Sequence, residues 1–285
     1  MDDKLRVELD GVEETLLWNL YQRAGEAAHP HTVLRDPRAV ALLDQVSYPF
    51  ADRFGPPSLG QWQALRAACF DAQVTAFLAE HPDGTVVALG EGLETQFWRV
   101  DNGRVHWLSV DLPDVVALRE RLLPRESARQ QVVACSALDD AWTSQVAQVA
   151  QGGDGSVLLT AQGLLMYFEP DRVRDFLART AARFPGASLI LDGVPSWFSA
   201  RTLRGQMTTR HGYTTPPMPW ALDAAELARL RALPNVDAVT ELRRPRGRGF
   251  THGLLLPALG LVPALRSSGL AGLPILRLDF APGAR

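Results

Sequence analysis

The stretch Val86-Val87-Ala88-Leu89-Gly90-Glu91-Gly92-Leu93-Glu94-Thr95 decides the fold class. It is a short apolar run, rich in β-branched residues, that ends in glycines. Such a run, without polar alternation, reads as a strand buried on both faces, as in a parallel sheet. Glycines at its end let the backbone approach a ligand closely. A dinucleotide site calls for G-x-G-x-x-G, but here the third glycine position holds Thr95. Asp111 follows nineteen residues after Gly92, at the end of a second run of this kind. A carboxylate there can accept both hydroxyls of a ribose. Taken alone, the pattern leaves open a plain structural turn at the glycines and a helix N-cap at Asp111.

Working outward, residues 106–110, 131–135, 156–160 and 188–191 read as four more buried strands. Helices are expected at residues 113–123 and 170–184, each opened by proline. Strands alternating with helices imply βαβ units and a parallel sheet covered on both faces. Residues 1–82 read as a helical cover. Apolar residues recur three and four apart over residues 13–28, Asp36 caps a helix opened by Pro37, and a long helix spans residues 61–80. Residues 83–194 form the core. Residues 195–233 form an insert or lid that loses regular period over 195–222, is crowded with Trp197, Phe198, Tyr213, Met218 and Trp220, and is helical again over 223–232. Residues 234–285 carry two last strands, 236–242 and 275–280, with an exposed basic loop at Arg243–Arg248 between them.

The 285 residues are 46% hydrophobic and 21% charged, an ordinary globular balance. The net charge of −3 gives no footprint for nucleic acid. Of 29 basic residues only Lys4 is a lysine. That excludes a lysine Schiff base and the phosphate grip of a P-loop. Cys69 and Cys135 show no metal spacing and are expected as buried free thiols. His29-Pro-His31 reads as a solvated turn rather than a metal site. The acidic start MDDKLRVELD is not a signal peptide, and the apolar stretch 253–265 is broken by Pro257 and Pro263 and too short for a membrane span. A cytoplasmic enzyme without membrane contact is expected.

Several ordered motifs then converge. They are Leu89-Gly90-Glu91-Gly92-Leu93-Glu94-Thr95-Gln96-Phe97-Trp98-Arg99, Asp111-Leu112-Pro113-Asp114-Val115, and Arg121-Leu122-Leu123. Ser136 to Trp142 and Gln162-Gly163-Leu164-Leu165-Met166-Tyr167 follow. Together they resemble the leucine carboxyl methyltransferase family, in particular its bacterial polyketide (tetracenomycin-type) O-methyltransferase branch. That branch shows LG(A/C)GLDTR, DLP-(E/D)-V, S-x-x-D-x-x-W and EG-(V/L)-L-M-Y. The likeness runs over roughly residues 11–225.

The resemblance implies a Rossmann-like class I methyltransferase sheet with S-adenosylmethionine bound over the strand ends. It implies that Gly90, Glu91 and Gly92 form the turn under the methionine part, and that Asp111 and Leu112 lie at the ribose. Ala137 and Leu138 would meet the adenine. Arg23 and Arg66 would hold the methionine carboxylate, a task that suits the arginine fork. Gln162 would lie by the ammonium group. Family Asp-Thr-Arg is Glu94-Thr95-Gln96 here, and family Glu-Gly is Gln162-Gly163. Glu91 is expected to replace the charge lost at Gln162.

The expected activity is O-methylation of a small natural-product-like molecule or a peptide, at a carboxylate. Such an acceptor needs no general base, whereas a phenol would benefit from one. His211 is the best candidate base, and Tyr167 is placed to orient an acceptor. Two rival readings are a degenerate methyltransferase fold that only binds a partner, and a nicotinamide-dependent oxidoreductase. The second lacks the third glycine and a Tyr-x-x-x-Lys pair.

Overall fold

The computed structural model describes residues 4–262 and 272–283. Its centre is a seven-stranded sheet of β3 (Thr85–Leu89), β4 (His106–Asp111), β5 (Gln130–Ala134), β6 (Val157–Ala161), β7 (Ser188–Asp192), β8 (Val236–Glu241) and β9 (Ile275–Phe280), in the order β5-β4-β3-β6-β7-β9-β8. The strands from β5 to β7 are parallel, and β9 runs antiparallel to both β7 and β8.

Side-chain alternation on these strands builds two cores. Val87, Leu89, Leu108, Val110 and Leu159 face one way, with Trp142 and Val146 of α7 (Ala141–Ala150) and Phe176 and Leu177 of α8 (Pro170–Arg183). Val86, Ala88, Trp107, Leu158 and Ile190 face the other way, with Phe70, Val74 and Leu78 of α4 (Gly60–Glu80). Each large aliphatic side chain so buried contributes about 1.5–3 kcal/mol. Double coverage is why these strands read as unbroken apolar runs.

The N-terminal cover consists of α1 (Glu14–Ala27), α2 (Pro37–Gln45), α3 (Phe50–Phe54) and α4. The Asp36 side chain accepts from the Ala39 N–H at 3.0 Å, so α2 starts where its sequence places it. A two-residue parallel pair, β1 (Leu5–Arg6) with β2 (Val46–Ser47), closes the cover. The other α-helices among the described residues are α5 (Gln96–Val100), α6 (Pro113–Leu122), α9 (Ser196–Leu203), α10 (Ala224–Arg231) and the short α11 (Leu256–Leu259), which a π-helical turn, Thr251–Leu255, precedes.

Four expectations change. The aperiodic insert contains a helix, α9, because Ser199 and Thr202 bond to the chain around Met218 and fasten that turn to the core. A helix not expected from the sequence, α7, begins where the Ser136–Trp142 motif ends, with no side-chain cap at Asp140. The basic loop is only partly exposed. Arg244 lies over the Trp62 ring and bonds Leu273 O, while Arg248 pairs with Glu26. Cys69 is buried, but Cys135 is only half-buried. Among the described residues no helix is long and apolar enough to cross a membrane. The end of the apolar stretch, residues 263–265, lies outside the described residues.

Candidate active site at the switch point of the sheet

Strand order reverses between β3 and β6. In open α/β sheets this switch point is where ligands settle, at the carboxyl ends of the strands. Gly90 follows β3, Asp111 ends β4, Leu138 follows β5 and Gln162 follows β6. The sequence-predicted residues are therefore gathered along one sheet edge.

Gly90 and Gly92 have φ of +60° and +54°, the left-handed region that favours glycine. A Cβ on Gly90 would meet Leu164 at 2.6 Å, and one on Gly92 would meet Leu16 at 2.3 Å. The turn is locked from below. Arg119 of α6 donates to Gly92 O and Glu94 O, both at 2.7 Å, and its Nη2 lies 3.0 Å from Glu91 Oε1. Ser109 donates to the same carboxylate. Burial pushes Glu91 up, with Arg119 opposing that. The side chain of Glu91 thus faces Arg119 and Ser109, while its Oε1 has no hydrogen-bond partner among the described residues.

Asp111 does not cap the helix that follows it. Its Oδ2 accepts from Gly92 N–H at 2.7 Å and its Oδ1 from Leu112 N–H at 2.9 Å. A carboxylate has about four acceptor sites, so room remains for hydroxyl donors. Burial raises its pKa, against these two N–H groups. Leu112 is exposed, whereas Ala137 and Leu138 are buried against the core. Their carbonyls accept from Trp142 Nε1 at 3.0 Å and Arg179 Nη2 at 3.1 Å.

Beside the turn lies a buried charge network that sequence reasoning did not find. Arg23 donates from all three nitrogens, to Asp36, Glu94 and Leu93 O, at 2.9–3.0 Å. Arg99 bonds Asp71, Asp36, Glu94 and Thr95. Gln96 Nε2 also reaches Asp71, at 3.0 Å, so this amide and Arg99 share one carboxylate. Burial raises the Glu94 pKa, but Arg23 and Arg99 outweigh it and hold it at about 2. Gln162 Nε2 donates to Glu94 at 3.1 Å. The sequence signal for this network was weak, because its members lie on separate elements. Arg23 touches the expected site but is committed to these partners.

Arg66 behaves differently. Its Nη1 donates to Asp192 at the end of β7 at 3.1 Å, and Asp192 also accepts from Gly163 N–H at 2.6 Å. Its Nε, like Gln162 Oε1, is buried without a partner among the described residues. Both residues border one small cavity of about 50 Å³ over the glycine turn. Sites that enclose a whole small molecule span about 300–1,000 Å³. This cavity matches only the zwitterionic end of S-adenosylmethionine, with an orphaned donor for a carboxylate and an orphaned acceptor for an ammonium. The chemistry of the donor set fits that cofactor, and Leu16 of α1 and Leu164 lie against the glycines of the turn.

A larger chamber of about 510 Å³ adjoins it, and Thr15, Asn19, Arg66 and Gly163 line both. Its walls are mostly apolar and aromatic, including Trp62, Tyr167, Trp197, Phe198, Tyr213 and Met218. Burial raises the Tyr167 and Tyr213 hydroxyls. Trp220 is not part of the wall. It is fully buried, with its indole N–H on Glu226 at 3.0 Å. His211 is exposed, sits over Gly55 and does not line the chamber; it lies at the tip of the turn that the Thr208–Thr214 bridge closes, while Thr208, Thr209 and Tyr213 of that turn face the chamber.

The profile of the leucine carboxyl methyltransferase family matches residues 17–181, over half of the chain. The chain belongs to that family. It is an S-adenosylmethionine-dependent methyltransferase. This leucine carboxyl methyltransferase family member is 32% identical over 192 residues to the tetracenomycin polyketide synthesis O-methyltransferase TcmP of Streptomyces glaucescens, covering 67% of this chain and 69% of that one. It is 29% identical over 196 residues to the S-adenosyl-L-methionine-dependent methyltransferase dpfgK of Gibberella zeae, covering 64% of each. A crystal structure of a Thermobifida fusca protein assigned to the methyltransferases shares the fold, with a TM-score of 0.55 at 16% identity over 93% of this chain and 94% of that one.

Proposed function

We propose that this family member is an O-methyltransferase that esterifies the carboxyl group of a small, flat, largely apolar acid. One observation carries the reading. Among the described residues, the ionisable groups lining the chamber are Arg66, Arg201, Tyr167 and Tyr213, with no histidine, carboxylate, lysine or cysteine. A hydroxyl acceptor would leave a proton with no base to take it. A carboxylate is already ionised at neutral pH and attacks unaided, and two arginines favour its charge. The chamber volume suits a small molecule rather than a folded partner, and its aromatic walls suit a planar one. TcmP, by its name, serves polyketide synthesis, which agrees with such an acceptor.

When bound, S-adenosylmethionine supplies an electrophilic methyl group on a positively charged sulfur. In this reading Arg66 Nε takes the methionine carboxylate, Gln162 Oε1 the ammonium and Asp111 the ribose hydroxyls. Gly90, Glu91 and Gly92 provide the turn beneath, Leu112 lies beside Asp111 at the ribose, and Ala137 and Leu138 border the base. Tyr167 orients the acceptor. What the chain contributes to the rate is alignment, with the acceptor oxygen held about 3 Å from the methyl carbon.

The test incubates the protein with S-adenosylmethionine and matched pairs of aromatic acids and phenols, and identifies products by mass spectrometry. Methyl esters from the acids are expected. Ethers from the phenols with no ester would overturn the carboxylate reading. A calorimetric titration that finds no S-adenosylmethionine binding would favour the non-catalytic reading.

A further inference from the structure

Gln63 is a buried amide in the wall of the acceptor chamber, only 7% exposed. Its Oε1 has no hydrogen-bond partner among the described residues. An unsatisfied buried acceptor is costly, and native structures keep few of them. No motif or mechanistic step above uses Gln63. A residue whose amide served the fold would spend this oxygen on the chain, as Gln22 does by accepting from Leu59 N–H at 2.9 Å.

The position is informative. Gln63 and Arg66 are three residues apart on α4, so they share one face of that helix about 5–6 Å apart at Cβ. Arg66 borders both cavities, at the place where acceptor and donor must meet. Gln63 borders the acceptor chamber alone. It therefore lies one helical step back from the reacting end, among aromatic and methionine side chains. In a largely apolar pocket, a few placed polar groups set ligand orientation.

We propose that Gln63 determines acceptor specificity: its side-chain oxygen accepts a hydrogen bond from a hydroxyl carried on the ring system of the acid. The inference rests on the carboxylate reading above. It adds a second recognition point, and with it a substrate class of hydroxylated aromatic acids. An acid lacking that hydroxyl leaves the Gln63 oxygen buried and unpaired, which costs about tenfold in affinity.

The test uses 2-naphthoic acid and its ring-hydroxylated isomers as probes, with S-adenosylmethionine and the full-length chain. The wild-type protein is expected to prefer one hydroxylated isomer by about tenfold in kcat/KM, with methyl ester as product. Gln63→Leu is expected to bring that ratio to within about twofold, and Gln63→Glu, which keeps an oxygen in place, to retain the preference. Gln63→Met serves if the leucine variant misfolds. No preference among isomers in the wild type overturns the proposal, as does a preference that survives Gln63→Leu. Methylation at the ring hydroxyl would overturn the carboxylate reading alone. The Gln63 assignment is then decided by calorimetry of the same acids with the protein loaded with S-adenosylhomocysteine. Loss of the preference in Gln63→Leu supports it, and equal binding by both proteins sinks it.

Discussion

The side-chain amide of Gln162 donates to the Glu94 carboxylate at 3.1 Å, joining two positions at which this chain departs from its family. The family pattern has aspartate where Glu94 stands and glutamate where Gln162 stands. The longer Glu94 side chain reaches across from the glycine turn, 68 residues away in sequence, and Arg23 and Arg99 hold it charged. A second carboxylate at 162 would face that charge. The neutral amide avoids the conflict and leaves Oε1 without a partner among the described residues.

Restoring the family glutamate alone is therefore harmful. Gln162→Glu sets two carboxylates against each other, which costs about 1–3 kcal/mol of stability and weakens cofactor binding about tenfold. Glu94→Asp in the same chain shortens the opposing arm and recovers much of both. Thermal unfolding and calorimetry with S-adenosylmethionine check this. Tighter binding by Gln162→Glu with Glu94 intact would refute the pairing argument.

The same carboxylate gives a pH signature. Glu94 is held at about 2, below the value of 4.5 it has when unfolded. Its contribution is then fully present above pH 4.5 and lost as pH falls toward 2. The depression corresponds to stability on the order of 3–4 kcal/mol. Urea unfolding across this window should show a steeper acid loss in the wild type than in Glu94→Gln. Parallel curves would mean that the network does not hold Glu94 down.

Turnover should be insensitive to pH. On the proposed carboxylate reading, with no base among the described residues of the chamber wall, kcat/KM is expected to stay flat between about pH 6 and about pH 9. His211→Ala should change it by less than about twofold, because the ring lies outside the chamber wall. A bell-shaped profile that flattens in the alanine variant would restore His211 as the base.

The glycine turn should resist any side chain. Gly92→Ala forces a Cβ onto a backbone at φ +54° and into Leu16 at 2.3 Å. The strain is about 1–2 kcal/mol before the clash is counted. Lower thermal stability together with weaker cofactor binding is expected. Gly103→Ala, also at positive φ but with open space around its Cβ, should cost stability without touching binding. Equal effects on binding from both variants would separate Gly92 from the cofactor.

Much of this molecule follows from signals that are local in the chain. Predominantly apolar runs marked β3, β4, β6 and β7, because a strand covered on both faces has no solvent side to pattern. Asp36 with Pro37 placed the start of α2 through one side-chain bond. Gly90, Gly92 and Asp111 announced the strand ends, since a positive φ and a turn-binding carboxylate are requirements of neighbouring residues. Tertiary structure alone decided the partners. It turned Glu91 down to Arg119, set Glu94 against Gln162, bound Arg23 into a network, left Arg66 Nε and Gln63 Oε1 unpaired among the described residues, sent Trp220 to the core and put His211 outside the chamber. Charges and amides carry no periodic signature, and which group meets which depends on helices and strands that are distant in sequence coming together around one sheet edge.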